Sequence, residues 1–161
     1  MVETGENWVL GANWGVNGST VADHYGWIDG YIAAYTATGK PAPEWVFFNA
    51  GVNDCEGGLP DEATWKTQLA YILDAYHAAW PNARVRVTTP WVRSVKTHMA
   101  TLGTWIGDVV SARSTWAAPG DDERVWLEGG DDGATMTLDG SHYSVAGRDE
   151  KAQQMLTIMG Y

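Results

Sequence analysis

Trp45-Val46-Phe47-Phe48-Asn49-Ala50, followed at once by Gly51-Val52-Asn53-Asp54, decides how the rest of the chain is read. An apolar run with no polar alternation suits a parallel strand covered on both faces. The turn residues behind it predict a loop over 51–60. Going on toward the C-terminus, Asp61 is positioned to cap a helix carrying Trp65, Leu69, Ile72, Leu73, Tyr76 and Trp80 on one face, stopped by Pro81. Val85-Arg86-Val87-Thr88-Thr89 reads as the next strand, closed by Pro90. Val95, Met99, Leu102, Ile106, Val109 and Val110 mark an amphipathic helix. Arg124-Val125-Trp126-Leu127 reads as a short strand, and Ser144 as the cap of a last helix through Met159, with Gly160 at its stop.

Toward the N-terminus, Val21, Tyr25, Ile28, Ile32 and Tyr35 recur at helical spacing, with Ser19 or Thr20 as N-cap and Gly39 and Pro41 as the stop. Ahead of them, a Gly-rich turn at Gly15-Val16-Asn17-Gly18 follows Trp8-Val9-Leu10-Gly11-Ala12-Asn13, a short buried strand by its composition. Strand and helix alternate throughout, which predicts an α/β fold with a parallel sheet. In such folds ligands bind beyond the carboxyl ends of the strands. Chemistry is therefore sought in the loops 15–20, 51–60, 90–94 and 128–142.

The 161 residues suit one domain, and 45% hydrophobic with 19% charged is a globular composition. No apolar run reaches the roughly 20 residues of a membrane span. Met1 leads into the polar Val2-Glu3-Thr4-Gly5-Glu6-Asn7, which does not read as a secretory signal peptide. A formal charge of -10 without a Lys/Arg stripe argues against nucleic acid as a partner. Cys55 is the only cysteine, so no internal disulfide forms; it lies beside the 51–54 loop, but nothing near it lowers its pKa. The ten tryptophans could form a sugar-stacking surface, but the burial habits of Trp favour packing.

Three of the loops hold candidate chemistry. Gly18-Ser19-Thr20 opens a helix, where a glycine lets a ligand approach and its N–H point outward. Asn53 follows the best strand, where its amide could donate to a developing oxyanion. Asp139-Gly140-Ser141-His142 precedes the last helix, where a carboxylate can fix the tautomer of a histidine base. Each alone reads as readily as a cap, an Asx-turn or a surface residue. His24, His77 and His98 lie in predicted helices without metal-ligand spacing, so no metal and no cofactor is expected. Asp121-Asp122-Glu123 and Asp131-Asp132 read as solvated loop charge, because they lack the calcium-loop pattern.

Taken together and in this order, the three motifs resemble the SGNH (GDSL-type) serine ester hydrolases. Asn17-Gly18-Ser19-Thr20 is similar to the family's block II, Gly51-Val52-Asn53-Asp54 to its block III and Asp139-Gly140-Ser141-His142 to its block V, with Gly147 also in place. The resemblance covers about residues 8–161. It implies that Gly18 and Asn53 form the oxyanion hole, and that Asp139 and His142 are the acid and base of a triad. It further implies a single SGNH-hydrolase-like domain over 1–161, a three-layer flavodoxin-like fold, and a small-molecule or carbohydrate ester as substrate.

The family's block I, Gly-Asp-Ser after the first strand, does not occur in the sequence. The expectation is an N-terminally truncated domain that lacks the central strand and the nucleophile. Ser19 is the weak substitute, with helix capping as its ordinary role. Ser141 is constrained between Asp139 and His142, and Ser94 and Ser144 read as caps. A fragment of a longer esterase is favoured over a degenerate module that binds carbohydrate or ester, and over half of a split assembly.

Overall fold

A computed structural model describes residues 12–55, 57–127 and 134–161. It contains helices α1 (Val21–Ala37), α2 (Glu62–Ala79), α3 (Lys96–Ser111), α4 (Glu123–Leu127) and α5 (Val145–Met159) and strands β1 (Trp45–Phe48), β2 (Arg84–Thr89) and β3 (Ala117–Asp122). The described strands form one parallel sheet in the order β1-β2-β3. The α/β class with a parallel sheet is thus as expected. Of the strand expected at Trp8–Asn13, residues 8–11 lie outside the described residues, and Ala12 and Asn13 belong to no regular element.

The register Val46↔Val85 and Phe48↔Val87 sends these four side chains to one face. There Val85, Val87, Phe48 and Ala117 join Trp65, Leu69, Ile72 and Leu73 of α2 and Met99, Leu102, Ile106 and Val110 of α3 in a single core. Each fully buried aliphatic contributes about 1.5–3 kcal/mol. The opposite face is not equivalent, contrary to the reading of β1 as covered alike on both sides. Trp45 and Phe47 stack there at 6.0 Å, half-buried, with the guanidinium groups of Arg84 and Arg86 each 5.0 Å from the Trp45 ring.

The helix ends follow the sequence closely. Thr20, not Ser19, caps α1 through a reciprocal box with Asp23. Asp61 accepts the Thr64 N–H at 2.9 Å, Ser144 accepts the Gly147 N–H at 3.1 Å, and Gly160 closes α5 at φ 91°.

The strand expected at Arg124–Leu127 is instead helix α4, and the strand lies just before it. Ala117-Ala118-Pro119-Gly120 carries the punctuation of a turn, yet it pairs with β2. The ladder is irregular there, between Val87 and Thr89. A Cβ on Gly120 would come within 3.1 Å of the Val87 and Thr88 backbone, so glycine permits the approach. Asp122 then accepts the Arg124 N–H at 3.1 Å, as a helix cap does, and turns the chain.

Candidate active site

The loop ahead of α1 brings Gly18 to the surface at φ 77°, a conformation that favours glycine although the space around it is open. The loop after β1 contacts that turn. Asn53 donates from Nδ2 to the Ser19 carbonyl at 2.9 Å. A primary amide has two N–H bonds, and this contact uses one of them. Asp54 accepts the Val21 N–H at 3.1 and 3.2 Å and the Trp65 Nε1–H at 2.9 Å, tying the start of α1 to α2. Burial raises the Asp54 pKa in spite of these bonds. Gly51, buried at φ 120°, is held against Leu102 and Pro90, where a Cβ would sit 3.1 and 3.5 Å from their side chains. The Gly18 and Asn53 segments are therefore one assembly.

Asp139 and His142 form a second one. His142 Nδ1 lies 2.8 Å from Asp139 Oδ2, while Oδ1 accepts the Ser141 and His142 N–H groups at 2.9 and 2.8 Å. The backbone bond from His142, then its ring and the Ser141 N–H, hold the Asp139 carboxyl well below the usual carboxylate range. Ser141 is thus part of the turn that fixes Asp139. The turn closes as a narrow hairpin: Leu138 N–H donates to the His142 carbonyl at 2.7 Å, and Thr137 bridges Tyr143. Gly140, at φ 91°, donates to Thr137 Oγ1 at 3.0 Å and accepts the Arg93 N–H at 3.0 Å. Gly147 lets α5 dock beneath, since a Cβ there would lie 2.0 Å from the Met136 carbonyl oxygen. The pair is open to water, with side chains 71% (His142) and 56% (Asp139) exposed.

Ser19 faces a different histidine. Its Oγ donates to the Val16 carbonyl at 2.7 Å and lies 2.9 Å from His24 Nε2. A hydroxyl has one proton, so a His24 N–H donating to Ser19 satisfies both contacts. Burial lowers the His24 pKa, and the ring packs edge-on against Phe48 at 5.5 Å. Cys55 is fully buried, and burial with the Asp54 charge pushes its thiol up to about 11, the opposite of an activated nucleophile.

The largest departure from the sequence reading concerns Asp121-Asp122-Glu123, which is not solvated loop charge. Asp121 and Glu123 are buried and share Lys151 of α5, at 2.9 Å from both Asp121 oxygens and 2.7 Å from Glu123 Oε1. Asp122 pairs with Arg124. No pattern in sequence could announce this, because Lys151 comes from an element 28 residues after Glu123. Asp131-Asp132 lies outside the described residues. Among the described residues no group of three or more His, Cys, Asp or Glu could hold a metal ion, and no helix is long and apolar enough to cross a membrane.

The parallel sheet, its flanking helices and the loops at its carboxyl edge define an α/β protein of the SGNH-hydrolase type. The chain belongs to the GDSL-like lipase/acylhydrolase family, whose model matches residues 2–154. No curated protein matches the sequence. Among solved structures, a carbohydrate esterase family 3 protein from Talaromyces cellulolyticus is 21% identical with a TM-score of 0.69, over 88% of this chain and 67% of that one. An acetylxylan esterase from Geobacillus stearothermophilus is 20% identical with a TM-score of 0.71, over 92% of this chain and 71% of that one. A GDSL-like lipase from Bacteroides thetaiotaomicron is 16% identical with a TM-score of 0.65, over 88% and 71%. At these identities the likeness is one of fold.

Proposed function

We propose that this chain carries the base and the oxyanion-binding half of an ester hydrolase acting on small acyl groups, with acetyl esters of carbohydrate favoured by the family and by the fold neighbours. The observation that carries the reading is the 2.8 Å contact between Asp139 and His142 Nδ1, with Asp139 itself pinned by two backbone N–H groups. It leaves Nε2 as the nitrogen for proton transfer. His142 takes the proton of the attacking hydroxyl as that oxygen bonds to the ester carbonyl carbon. The carbonyl electron pair moves onto oxygen, where the Gly18 N–H and the spare Asn53 N–H receive it. Collapse expels the alkoxide, which recovers the proton from His142. Asp139 stabilises the imidazolium in between.

The serine that the family resemblance implies as attacking group is not assigned to any of the residues 1–161. With this chain alone, water is the attacking group and the reaction is slow. The absence of Gly-Asp-Ser within the sequence favours a second reading, a non-catalytic module that binds carbohydrate or ester.

Incubation with a chromogenic acetyl ester and, separately, with a fluorophosphonate distinguishes the two. The expected result is no fluorophosphonate adduct and a slow hydrolysis above the buffer rate that His142→Ala abolishes. A rate untouched by His142→Ala removes the esterase reading. No hydrolysis, together with saturable binding of acetylated xylo-oligosaccharide, selects the module. A stoichiometric adduct on Ser19 would assign the nucleophile there instead.

A further inference from the structure

Glu123 lies where three strand ends and two loops converge, and its carboxylate is almost fully buried, with a side-chain exposure of 3%. Its Oε1 accepts from Asn49 Nδ2 at 3.0 Å, from Lys151 Nζ at 2.7 Å and from the Tyr143 hydroxyl. Its Oε2 accepts the Trp91 N–H at 3.1 Å. Asn49 leads from β1 into the loop that carries Asn53. Trp91 follows β2, ahead of the Arg93 N–H that holds Gly140. Tyr143 is the residue next to His142. One carboxylate therefore ties the oxyanion-loop side of the carboxyl edge to the base-bearing turn.

The charge around it is arranged for rigidity. Lys151 spends its three protons on Asp121, Glu123 and Thr88, the last at 3.3 Å, and Thr88 donates back to Asp121 at 2.7 Å. Two buried carboxylates share one ammonium, and each has further neutral donors or a second ammonium contact. Networks that are satisfied in this way fix geometry more than they add stability. The phenol of Tyr143 is the one member that reaches into the His142 turn, and burial beside Glu123 pushes its pKa up, so it stays a donor.

We propose that Glu123, braced by Lys151 and Asp121, is a positioning residue that acts through the Tyr143 hydroxyl to hold His142 in one orientation against the oxyanion side of the site. This rests on the reading of His142 as the base, but its test needs no turnover.

The full chain is labelled with 15N, and two quantities are followed at about pH 8. One is the tautomer of the His142 ring, read from its two nitrogen shifts. The other is amide exchange at Leu138, His142 and Ser144, relative to core amides of α2. Wild type is expected to show one tautomer, with the proton on Nδ1. Tyr143→Phe removes only an oxygen and keeps the ring, so the chain should still fold. In that variant the turn amides should exchange about tenfold faster than in wild type while α2 is unchanged, the size expected from one lost charge-assisted hydrogen bond. The ring shifts should move toward the average of the two tautomers. Glu123→Gln, which places an amide among the Tyr143, Lys151 and Trp91 donors, should give the same signature or a larger one if it folds. Lys151→Arg, which keeps the cation, should retain the wild-type tautomer and turn protection.

Turn amides that stay protected in Tyr143→Phe, or that loosen only in step with α2, overturn the proposal. So does a turn that loosens while the tautomer stays single, because the network would then stabilise the hairpin without governing the base. Loss of ester hydrolysis with both signatures intact would bear on the proposed activity and leave this inference standing.

Discussion

Two acidic regions sit at the same edge of the sheet and are built from the same groups, yet they serve opposite ends. Asp139 lies in water beside His142, 56% exposed, and meets a single titratable partner. Asp121 and Glu123, at the end of β3 and the start of α4, are buried and share a lysine. Water screens the first pair, so its contribution to stability is small and its ring is accessible for chemistry. Desolvation makes the second cluster costly to disturb, so it can hold loops in register. Burial, not residue type, separates the carboxylate that partners the candidate base from those that tie loops together.

That contrast can be broken most severely at Lys151. Lys151→Met leaves two buried carboxylates without their cation and is expected to cost about 3–5 kcal/mol or to prevent folding, as measured by urea unfolding. A loss under about 1 kcal/mol would mean that water reaches the cluster and that the two regions do not differ as described. Next in size is Gly147→Ala. The new methyl would meet the Met136 carbonyl oxygen at 2.0 Å, so α5 must shift at a cost of about 1–3 kcal/mol. Because α5 carries Lys151, this variant should also weaken the buried cluster. Thr20→Ala removes the α1 cap and half of its box for about 1 kcal/mol, and should leave both acidic regions unchanged.

The exposed pair should respond least. His142→Ala is expected to alter stability by no more than about 0.5 kcal/mol while removing ester hydrolysis, and a large stability loss would show that the pair is structural. Its acid dependence sharpens the point. The folded-state pKa of Asp139 lies below its unfolded value, so its contribution is present above about pH 4 and is lost as pH falls toward the depressed value. Asp139→Asn should flatten that acid limb in unfolding curves taken at about pH 3 and pH 7. An unchanged limb would show that Asp139 does not carry the acid sensitivity.

Much of the molecule is legible in the sequence. The apolar runs at Trp45–Phe48 and Val85–Thr89 give strands, and the helical spacing of Trp65, Leu69, Ile72 and Tyr76 gives α2. Thr20, Asp61, Ser144 and Gly160 mark helix ends through local hydrogen bonds or left-handed backbone, all of which act within a few residues. Asp139 and His142 lie three residues apart, so one turn brings them together and sequence alone can pair them.

β3 escaped that reading because Pro119 and Gly120 are turn-formers by local preference, and only the neighbouring β2 backbone makes a strand of them. The sequence by itself determined the α/β alternation, the caps, the Asp139–His142 pair and the family, since each depends on residues close in the chain or on a fixed motif. Tertiary structure alone decided that Asn53 bonds Ser19 across 34 residues and that Asp54 clamps the start of α1. It alone decided that Asp121 and Glu123 are buried. The reason is physical: desolvation and long-range hydrogen bonding depend on which elements pack together, and no local propensity encodes that partner.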